Sequence, residues 1–201
     1  MSPASRADRV RIEARLAVAE RGAELLGRKR RILEDEVERM RLAADRQRDE
    51  FEAAAREADR WLARAAAIDG AEGIARAAPP PTAAAELSWS VTMGVRFPAE
   101  AEVVLPEAAP VSGSSALAYA TVAHRLAAEA AIRHAASEEA VRRIAAELLT
   151  TRQRERAVTH RWVPRLEASL SDLRRRIDDL ELEENLRVRW SAERRDGKEQ
   201  E

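Results

Sequence analysis

Residues 12–68 read IEARLAVAERGAELLGRKRRILEDEVERMRLAADRQRDEFEAAAREADRWLARAAAI. Along this stretch, apolar or small residues recur at alternating steps of four and three. This heptad spacing keeps one stripe of a helix against a partner helix when the two supercoil left-handedly. The stripe, here called the first seam, consists of Ile12, Leu16, Ala19, Ala23, Leu26, Arg30, Leu33, Val37, Met40, Ala44, Gln47, Phe51, Ala54, Ala58, Trp61, Ala65 and Ile68. Only Arg30 and Gln47 are polar. At 1.5 Å per residue this helix is predicted to be about 85 Å long, so we expect its length to be part of its function.

The composition of the chain is typical of long helices with solvated faces rather than of a thick core. Of 201 residues, 35 are basic and 36 acidic, which gives a formal net charge of −1. The chain has no cysteine, which excludes disulfides and thiolate metal sites and suits a reducing cytosolic setting. Residues 1–15 lack the apolar core of a signal peptide, and no stretch is apolar for long enough to span a bilayer. We therefore expect a soluble protein.

The sequence divides into three predicted segments. They are residues 1–69, an N-terminal coiled-coil helix; residues 70–113, a proline-rich insert with a short β-hairpin; and residues 114–201, a C-terminal coiled-coil helix with a frayed tail. Gly70 and Gly73 are expected to end the first helix, because glycine readily adopts the left-handed conformation beyond a helix terminus. Alternating apolar and polar residues around Gly94 predict the hairpin. Hydroxyl side chains within Ser112–Ser115 are expected to cap the second helix.

A second seam lies in the C-terminal segment. It includes Val122, Leu126, Val141, Ile144, Leu148, Val158, Trp162, Leu166, Leu170, Leu173, Ile177 and Leu180. Pro164 removes a backbone hydrogen bond, so we expect a kink there, and the four-residue steps from Trp162 to Leu170 are expected to relax the supercoil. Folding back would bury both seams within one chain. The predicted fold is therefore all-α, a long antiparallel two-helix coiled-coil hairpin with a short β-hairpin-bearing insert between the helices.

The sequence shows no recognisable pattern of catalytic or cofactor-binding residues. It contains no GxxxxGKS/T phosphate loop, no GxGxxG dinucleotide motif and no HExxH zinc motif. Its histidines, His124, His134 and His160, are too far apart along a helix to share one metal ion. Its carboxylates alternate with arginines, as they do on solvated helix faces. We therefore expect a protein that is not an enzyme, with no catalytic residue, no cofactor and no metal.

Three features remain as candidates for contacts with partners. Arginines from both ends of the chain are expected to make one tip of the hairpin basic. The candidate contact residues at this tip are Arg6, Arg9, Arg11, Arg15, Arg187, Arg189 and Trp190. Trp89 in the insert is expected to anchor an interface. Arg30 lies on the first seam, where a charged group needs a partner, so it is expected to set register or mark a contact. The basic run Arg28–Arg31 is spread around the helix and followed by acids, which disfavours nucleic-acid binding.

Three motifs, in their order along the chain, resemble those of a known family. Residues 15–33 read RLAVAERGAELLGRKRRIL, residues 162–166 read WVPRL, and residues 180–185 read LELEEN. They resemble the Leu-x-x-Ala-x-x-Gly-x-x-Leu-Leu-x-x-Lys-Arg pattern, the apolar-Pro-x-apolar element and the acidic run of D subunits of V-type (archaeal and vacuolar-type) rotary ATPases. The positions that carry the resemblance are Gly22, Leu25, Leu26, Lys29, Arg30 and Pro164. Residues 186–190, LRVRW, depart from the family, which usually has lysines there.

The resemblance implies a non-catalytic central-stalk subunit, the rotor shaft of a V-type rotary ATPase. Such a shaft transmits torque between the ATP-hydrolysing or ATP-synthesising head of A and B subunits and the ion-translocating membrane rotor. The implied partners are the A and B subunits around the basic tip, the F subunit on the coiled coil and the C/d subunit at the far end. The resemblance implies neither nucleic-acid binding nor direct membrane insertion. It implies a cytoplasmic subunit, peripheral on the cytoplasmic face of the membrane through the complex.

Two other functions also fit a helical hairpin. A coiled-coil scaffold or a secretion-export stalk protein, such as the flagellar export stalk, shares the hairpin form but not the insert. A membrane-remodelling hairpin requires an amphipathic N-terminal helix with large apolar residues. Val10, Ile12 and Leu16 supply too little apolar surface among the neighbouring arginines, so this function is the least favoured.

Overall fold

The computed structural model describes residues 6–77, 83–106 and 113–198, with side chains described as far as residue 190. Its elements are, in chain order, α1 (Arg6–Ala77), β1 (Ala84–Thr92), β2 (Val95–Val104), α2 (Ser115–Ala157), a π-helical turn (Val158–Trp162) and α3 (Val163–Lys198). The described residues are mostly helical, at 85%, with a small antiparallel β-hairpin between a long N-terminal and a long C-terminal helix. The predicted fold class is confirmed.

The described residues form two compact units. The terminal unit contains the residues up to Lys29 and those from Thr151 onwards, and the central unit contains Arg30–Thr150. Helix α1 contributes its first part to the terminal unit and the remainder to the central unit. Each unit has its own buried residues and is described by itself.

In the terminal unit, the start of α1 runs antiparallel to α3. Arg6 donates a hydrogen bond to Glu181 over 2.6 Å, and Arg174 donates one to Glu13 over 2.9 Å. The buried residues of this unit are Ala19, Thr151, Leu166, Leu170 and Ile177. Because the fully buried residue that α1 contributes is an alanine, this unit has a thin core.

The central unit has a thicker core, to which both helices and the hairpin contribute. Its buried residues are Leu33, Val37, Met40, Phe97, Ala140, Ile144 and Leu148. Leu33 and Ile144 have no exposed surface. Phe97 is only 5% exposed and inserts from β2 between residues of α1 and α2. The hairpin therefore packs on the helices, as expected of a two-stranded sheet that is marginal by itself.

A second part of the central unit is packed through alanines. One cluster contains Ala65, Ala116, Leu117 and Ala120, and another contains Ala58, Ala123 and Ala127. Trp61 packs against both clusters, and its ring stacks on Tyr119 with 4.6 Å between centroids. Alanines from both helices therefore form most of this packing, and the large Trp61 of α1 fills space beside them.

The junction between α1 and α2 is fixed by a polar contact. The Asp69 carboxylate accepts hydrogen bonds from the Ser114 backbone N–H, over 2.9 Å, and from the Ser114 hydroxyl. The Ser114 Oγ in turn accepts a hydrogen bond from the Leu117 N–H over 3.2 Å, which caps the start of α2. A hydroxyl cap from this segment was predicted and is confirmed for Ser114; Ser112 lies outside the described residues.

Helix α1 is interrupted at Gly70, one of the two glycines at which we expected it to end. Gly70 is non-helical, with φ 67° and ψ 179°, and a further helical stretch follows it as far as Ala77, so the prediction is confirmed at Gly70 and wrong at Gly73. The positive φ of Gly70 strains any other residue type. Ile74, beyond this irregularity, packs against the alanine cluster near Leu117. The segment boundaries at residues 69/70 and 113/114 stay predictions.

The β-hairpin turns at Met93 and Gly94, where Thr92 pairs with Val95. Both turn residues have positive φ, 50° and 84°, as a two-residue turn matched to the twist of the strands requires. The register shifts between Ser88 and Trp89. The hairpin predicted around Gly94 is confirmed.

The first seam is confirmed as the inward face of α1, with one exception. All of its predicted positions are buried or half-buried apart from Ile68, which is 67% exposed. Ile68 lies just before the non-helical Gly70, where the helix no longer follows the heptad path. Ile74 takes the corresponding packing role beyond the irregularity.

Four predictions on the second seam are wrong. Val122, Leu126, Trp162 and Leu180 are exposed. Near Val122 and Leu126, the buried face of α2 is formed by alanines, because Trp61 of α1 occupies the space between the two helices. Trp162 ends the π-helical turn, which rotates it away from the seam. Leu180 lies close to the level of Arg6, where the described part of α1 begins. The other second-seam positions are buried or half-buried.

Candidate functional site

The π-helical turn accommodates Pro164. The Val163 N–H donates to the Val158 carbonyl, five residues back rather than four. Pro164 has no N–H, and in a regular helix its ring clashes with the carbonyl four residues earlier, that of His160. A wide turn directly before the proline removes this conflict. The sequence predicted a kink at Pro164, which stays a prediction; the structure has a π turn that ends at Trp162, just before the proline.

The motif glycine Gly22 and its neighbour Gly27 have different surroundings. A Cβ atom added to Gly27 would lie 3.1 Å from the Glu155 Oε1, so this glycine allows a close approach between α1 and the C-terminal helical segment. A Cβ atom added to Gly22 would meet nothing within 4 Å. No described neighbour therefore requires a glycine at position 22, and Leu25 in the same motif is 63% exposed. Leu26, on the first seam, is half-buried.

The cationic motif residues lie at the boundary of the two units. Lys29 and Arg30 are both half-buried. Arg30 Nη1 donates to Glu34 Oε2 over 2.7 Å, an i,i+4 pair on the same helix. The expectation that a charge on the seam needs a partner is therefore confirmed, and Glu34 is one such partner. A role of Arg30 in register or in contacts with another subunit stays a prediction.

The arginines of the predicted basic tip are largely paired with carboxylates. The ion pairs are Arg6 with Glu181, Arg9 with Glu13, Arg11 with Asp8 and Arg187 with Glu183. The hydrogen bond and the charge of Glu181 raise the pKa of Arg6. Within the described part of the chain, Arg15 and Arg189 form no ion pair. The structure thus brings Arg6 to α3, and the tip carries less unbalanced positive charge than the arginine count indicates.

Beyond Glu181, helix α3 carries exposed apolar side chains. They are Leu182, Leu186, Val188 and Trp190, of which Trp190 is 59% exposed. No described residue of α1 precedes Arg6, the partner of Glu181. Toward residue 190, α3 therefore carries large apolar side chains that the described residues leave exposed, and it contains the predicted contact residues Arg187, Arg189 and Trp190.

Trp89 in the hairpin is held between two arginines. The guanidinium carbons of Arg96 and Arg143 lie 4.6 and 5.2 Å from the centroid of its ring. Arg143 also donates from Nη1 to the Arg96 carbonyl over 3.3 Å. Arg143 and Arg142 both donate to Glu139, and these hydrogen bonds lower the pKa of the Glu139 carboxyl. Trp89 therefore joins the hairpin to α2, and its predicted role as an interface anchor remains a prediction.

Neither a metal site nor a membrane span is found in the part of the chain that the structure describes. No group of three or more His, Asp or Glu side chains there is placed to hold a metal ion. No helix there is long and apolar enough to cross a membrane. An open groove lies beside β2 and is lined among others by Gln47, Glu100 and Arg133.

Comparison with known families gives a match over nearly the whole chain. The family model for the D subunit of ATP synthase matches residues 9–193. The chain belongs to this family. It is therefore a stalk subunit of a rotary ATPase and a member of an ATP synthase complex. Comparison with curated protein sequences gives no match.

Several features of this stalk subunit were not predicted from its sequence. The Phe97 anchor, the Asp69–Ser114 contact and the π turn depend on contacts between distant residues or on backbone geometry. The 63% exposure of Leu25, a large apolar residue of the family motif, was also not predicted.

Proposed function

We propose that the chain is the non-catalytic central rotor shaft of a V-type rotary ATPase. It transmits torque between the ATP-hydrolysing or ATP-synthesising head of A and B subunits and the ion-translocating membrane rotor. The observation that carries this proposal is the family match over residues 9–193 on a chain built of two long paired helices. Paired helices resist twisting and bending better than one, which suits a rotating shaft.

The packing supports a stiff central unit. Interhelical contacts resist sliding when large side chains of one helix occupy fixed positions on the other. Leu33 and Ile144 are completely buried in one core cluster, and Phe97 adds a residue from the hairpin. The π turn at Val158–Trp162 and the proline that follows place an irregularity outside this core.

The proposal assigns four partners. The A and B subunits surround the end that carries Arg6, Arg9, Arg11, Arg15, Arg187, Arg189 and Trp190. The F subunit binds the coiled coil, and the C/d subunit binds the far end. The exposed apolar side chains around Trp190 support a contact with the head, because a large exposed aromatic side chain is a common interface anchor. The chain is then peripheral on the cytoplasmic face of the membrane through the complex.

Reconstitution with the A and B subunits tests the proposal. A chain lacking residues 187–201 keeps Arg6 and Glu181, so we expect it to retain its helicity by circular dichroism. We expect the complex containing it to couple ATP hydrolysis to ion transport less efficiently than the complex with the full chain. The measurement is the ratio of ion transport to ATP hydrolysis in proteoliposomes that contain the whole complex.

Two outcomes would contradict the proposal. The first is that the full chain does not co-purify with the A and B subunits. The second is that it forms only homo-oligomers and leaves the ATPase activity of those subunits unchanged. The second outcome would favour a coiled-coil scaffold or export stalk. Loss of helicity in the truncated chain would show instead that residues 187–201 are needed for the helices to fold, rather than for binding to the A and B subunits.

A further inference from the structure

The β-hairpin has one covered edge and one free edge. Residues of α2 line the groove beside β2, and Arg143 of α2 donates a hydrogen bond to the Arg96 carbonyl of β2 over 3.3 Å. Pro98, also on β2, has no N–H to donate to a further strand. In the part of the chain that the structure describes, β1 pairs only with β2. The outer edge of β1 is therefore the edge that another strand can reach.

The pairing of the two strands shows which backbone groups point to this free edge. The residues that flank the two-residue turn form a hydrogen-bonded pair, and such pairs recur at every second residue. The extra residue at the register shift, Ala99, is on β2, so the alternation along β1 is unbroken. The N–H and C=O groups of Leu87, Trp89 and Val91 therefore point away from β2. Among the described residues, no hydrogen bond from outside the hairpin reaches the backbone of these three.

Strand β1 lacks most of the features that protect natural edge strands from further pairing. Its one charged residue is Glu86, and residues 87–93 read LSWSVTM, with no charge, no proline and no glycine. Leu87, Trp89 and Val91 lie on one face of the strand and are 41%, 40% and 64% exposed. An exposed, apolar and uncharged edge of this kind favours pairing with another strand.

We propose that β1 pairs with β1 of a second copy of the chain, antiparallel and centred on Trp89, so that two hairpins form one four-stranded sheet. The sequence LSWSV around this residue has the same pattern in both directions. The pairing therefore places Leu87 opposite Val91 and Ser88 opposite Ser90. Apolar side chains face apolar ones, and hydroxyl groups face hydroxyl groups. A contact about a two-fold axis requires such a self-complementary surface, whereas a strand of a different protein does not.

Charged residues do not oppose this pairing. Glu86 of one copy would lie opposite Thr92 of the other copy rather than opposite a second carboxylate. Of the two arginines that flank the central tryptophan, Arg143 forms an ion pair with Glu139. Arg96 lies on β2, one strand away from the new contact. The proposed register therefore brings no like charges directly together across the two paired edges.

The molar mass of the isolated full chain tests the pairing. Two short strands bury less surface than the roughly 1,200 Å² of a stable interface, so we expect a weak dimer. In sedimentation experiments, the average mass is expected to rise from 22.4 kDa at low micromolar concentration towards twice that value at high micromolar concentration. The inference concerns the isolated chain, so it does not rest on the proposed function.

Substitutions on the two strands locate the contact. Val91→Pro removes an N–H that points to the free edge, where edge strands tolerate proline, and Val91→Lys adds a charge to the same edge. We expect both variants to keep the monomer mass at every concentration. Val104→Lys is the matched control, because Val104 is 51% exposed but lies on β2. It is expected to dimerise as the unchanged chain does. The midpoint of thermal unfolding, followed by circular dichroism, verifies that each variant is folded.

Single cysteines test the register, because the chain has no cysteine of its own. Ser88 and Ser90 of opposite copies would form non-hydrogen-bonded pairs, with about 4.5 Å between Cα atoms, which a disulfide can bridge. We expect a mixture of Ser88→Cys and Ser90→Cys chains to form disulfide-linked dimers under mild oxidation several-fold faster than either variant alone. The control mixture combines Ser88→Cys with Thr92→Cys, two residues out of the proposed register, and is expected to react slowly.

Three outcomes would overturn the inference. The first is a mass of 22.4 kDa at every concentration, which would leave the free edge of β1 to a different protein. The second is an equal loss of dimer in Val91→Lys and Val104→Lys, which would place the contact away from β1. The third is fastest crosslinking in the control mixture or in a single variant alone, which would exclude the pairing centred on Trp89. None of these outcomes affects the proposed function, which depends on co-purification with the A and B subunits.

Discussion

Phe97 fixes the hairpin to the helices through one buried side chain. It is 5% exposed and belongs to the same core cluster as Leu33 and Ile144. Replacing a buried phenylalanine with alanine removes its apolar burial and leaves a cavity, at a cost of about 3 kcal/mol or more. We therefore expect Phe97→Ala to lower the free energy of unfolding by about this amount, measured by urea denaturation followed by circular dichroism.

Val91→Ala is the matched control for this change. Val91 lies on the other strand of the same hairpin and is exposed, so we expect a change of no more than about 0.5 kcal/mol. Equal effects of the two substitutions would show that the hairpin is not anchored through Phe97.

At the scale of single residues, the sequence predicts burial well where only one helix face is apolar. Leu33, Val37 and Met40 lie among charged residues, and all three are buried as predicted. The start of α2 is apolar on several faces, so periodicity cannot choose between Val122 and the neighbouring Ala123. Ala123 is the buried residue, because Trp61 of α1 packs against its cluster. This contact joins residues far apart in the chain, so the spacing of apolar residues does not reveal it.

At the scale of elements, the π-helical turn is a wide turn that holds one residue more than an α-helical turn. We expect deletion of Thr159, in a chain that also carries Pro164→Ala, to convert this turn into regular α-helix. Leu166 and Leu170 should then keep their inward orientation, because the extra residue alone has been removed. The measurement is the midpoint of thermal unfolding, which we expect to fall by no more than a few degrees.

Deletion of Ser169 in the same Pro164→Ala background is the control. Ser169 is exposed and lies in regular helix, so its loss rotates every later residue by about 100°. Leu170 and Ile177 would leave the core, and we expect a much larger fall in the midpoint. Similar midpoints for the two deletions would show that Val158–Trp162 does not hold an extra residue.

Among the elements, the helices, the hairpin and the hydroxyl cap could be predicted from the sequence because their signals are local. Heptad spacing, Gly94 and Ser114 each determine the conformation of a few neighbouring residues. The short helical stretch that follows the interruption at Gly70 could not be predicted, because Ile74 in it packs against residues of α2 that are far away in the chain. For the candidate site, the positions of the arginines could be predicted, but their pairing with carboxylates such as Glu181 could not, because it joins residues far apart in the chain.

At the scale of the whole molecule, the two compact units differ in how much apolar surface they bury. The central unit contains a seven-residue core cluster with residues from α1, β2 and α2. In the terminal unit, the large buried side chains come from α3, and α3 continues past Glu181 with exposed apolar residues. Regions with few buried apolar contacts open at lower free energy than well-packed ones. The isolated chain should therefore open first in its terminal unit.

Hydrogen exchange followed by mass spectrometry measures this difference. In the isolated chain, we expect amides of residues 33–40 and 144–148 to exchange at least about tenfold more slowly than those of residues 10–18 and 182–190, as about 1.4 kcal/mol of opening free energy produces. Uniform protection would show that the two units open together. Binding of the ATPase subunits stabilises the state to which they bind, so assembly should slow exchange most in residues 10–18 and 182–190. Protection confined to the central unit would place the contacts with the other subunits away from both chain ends.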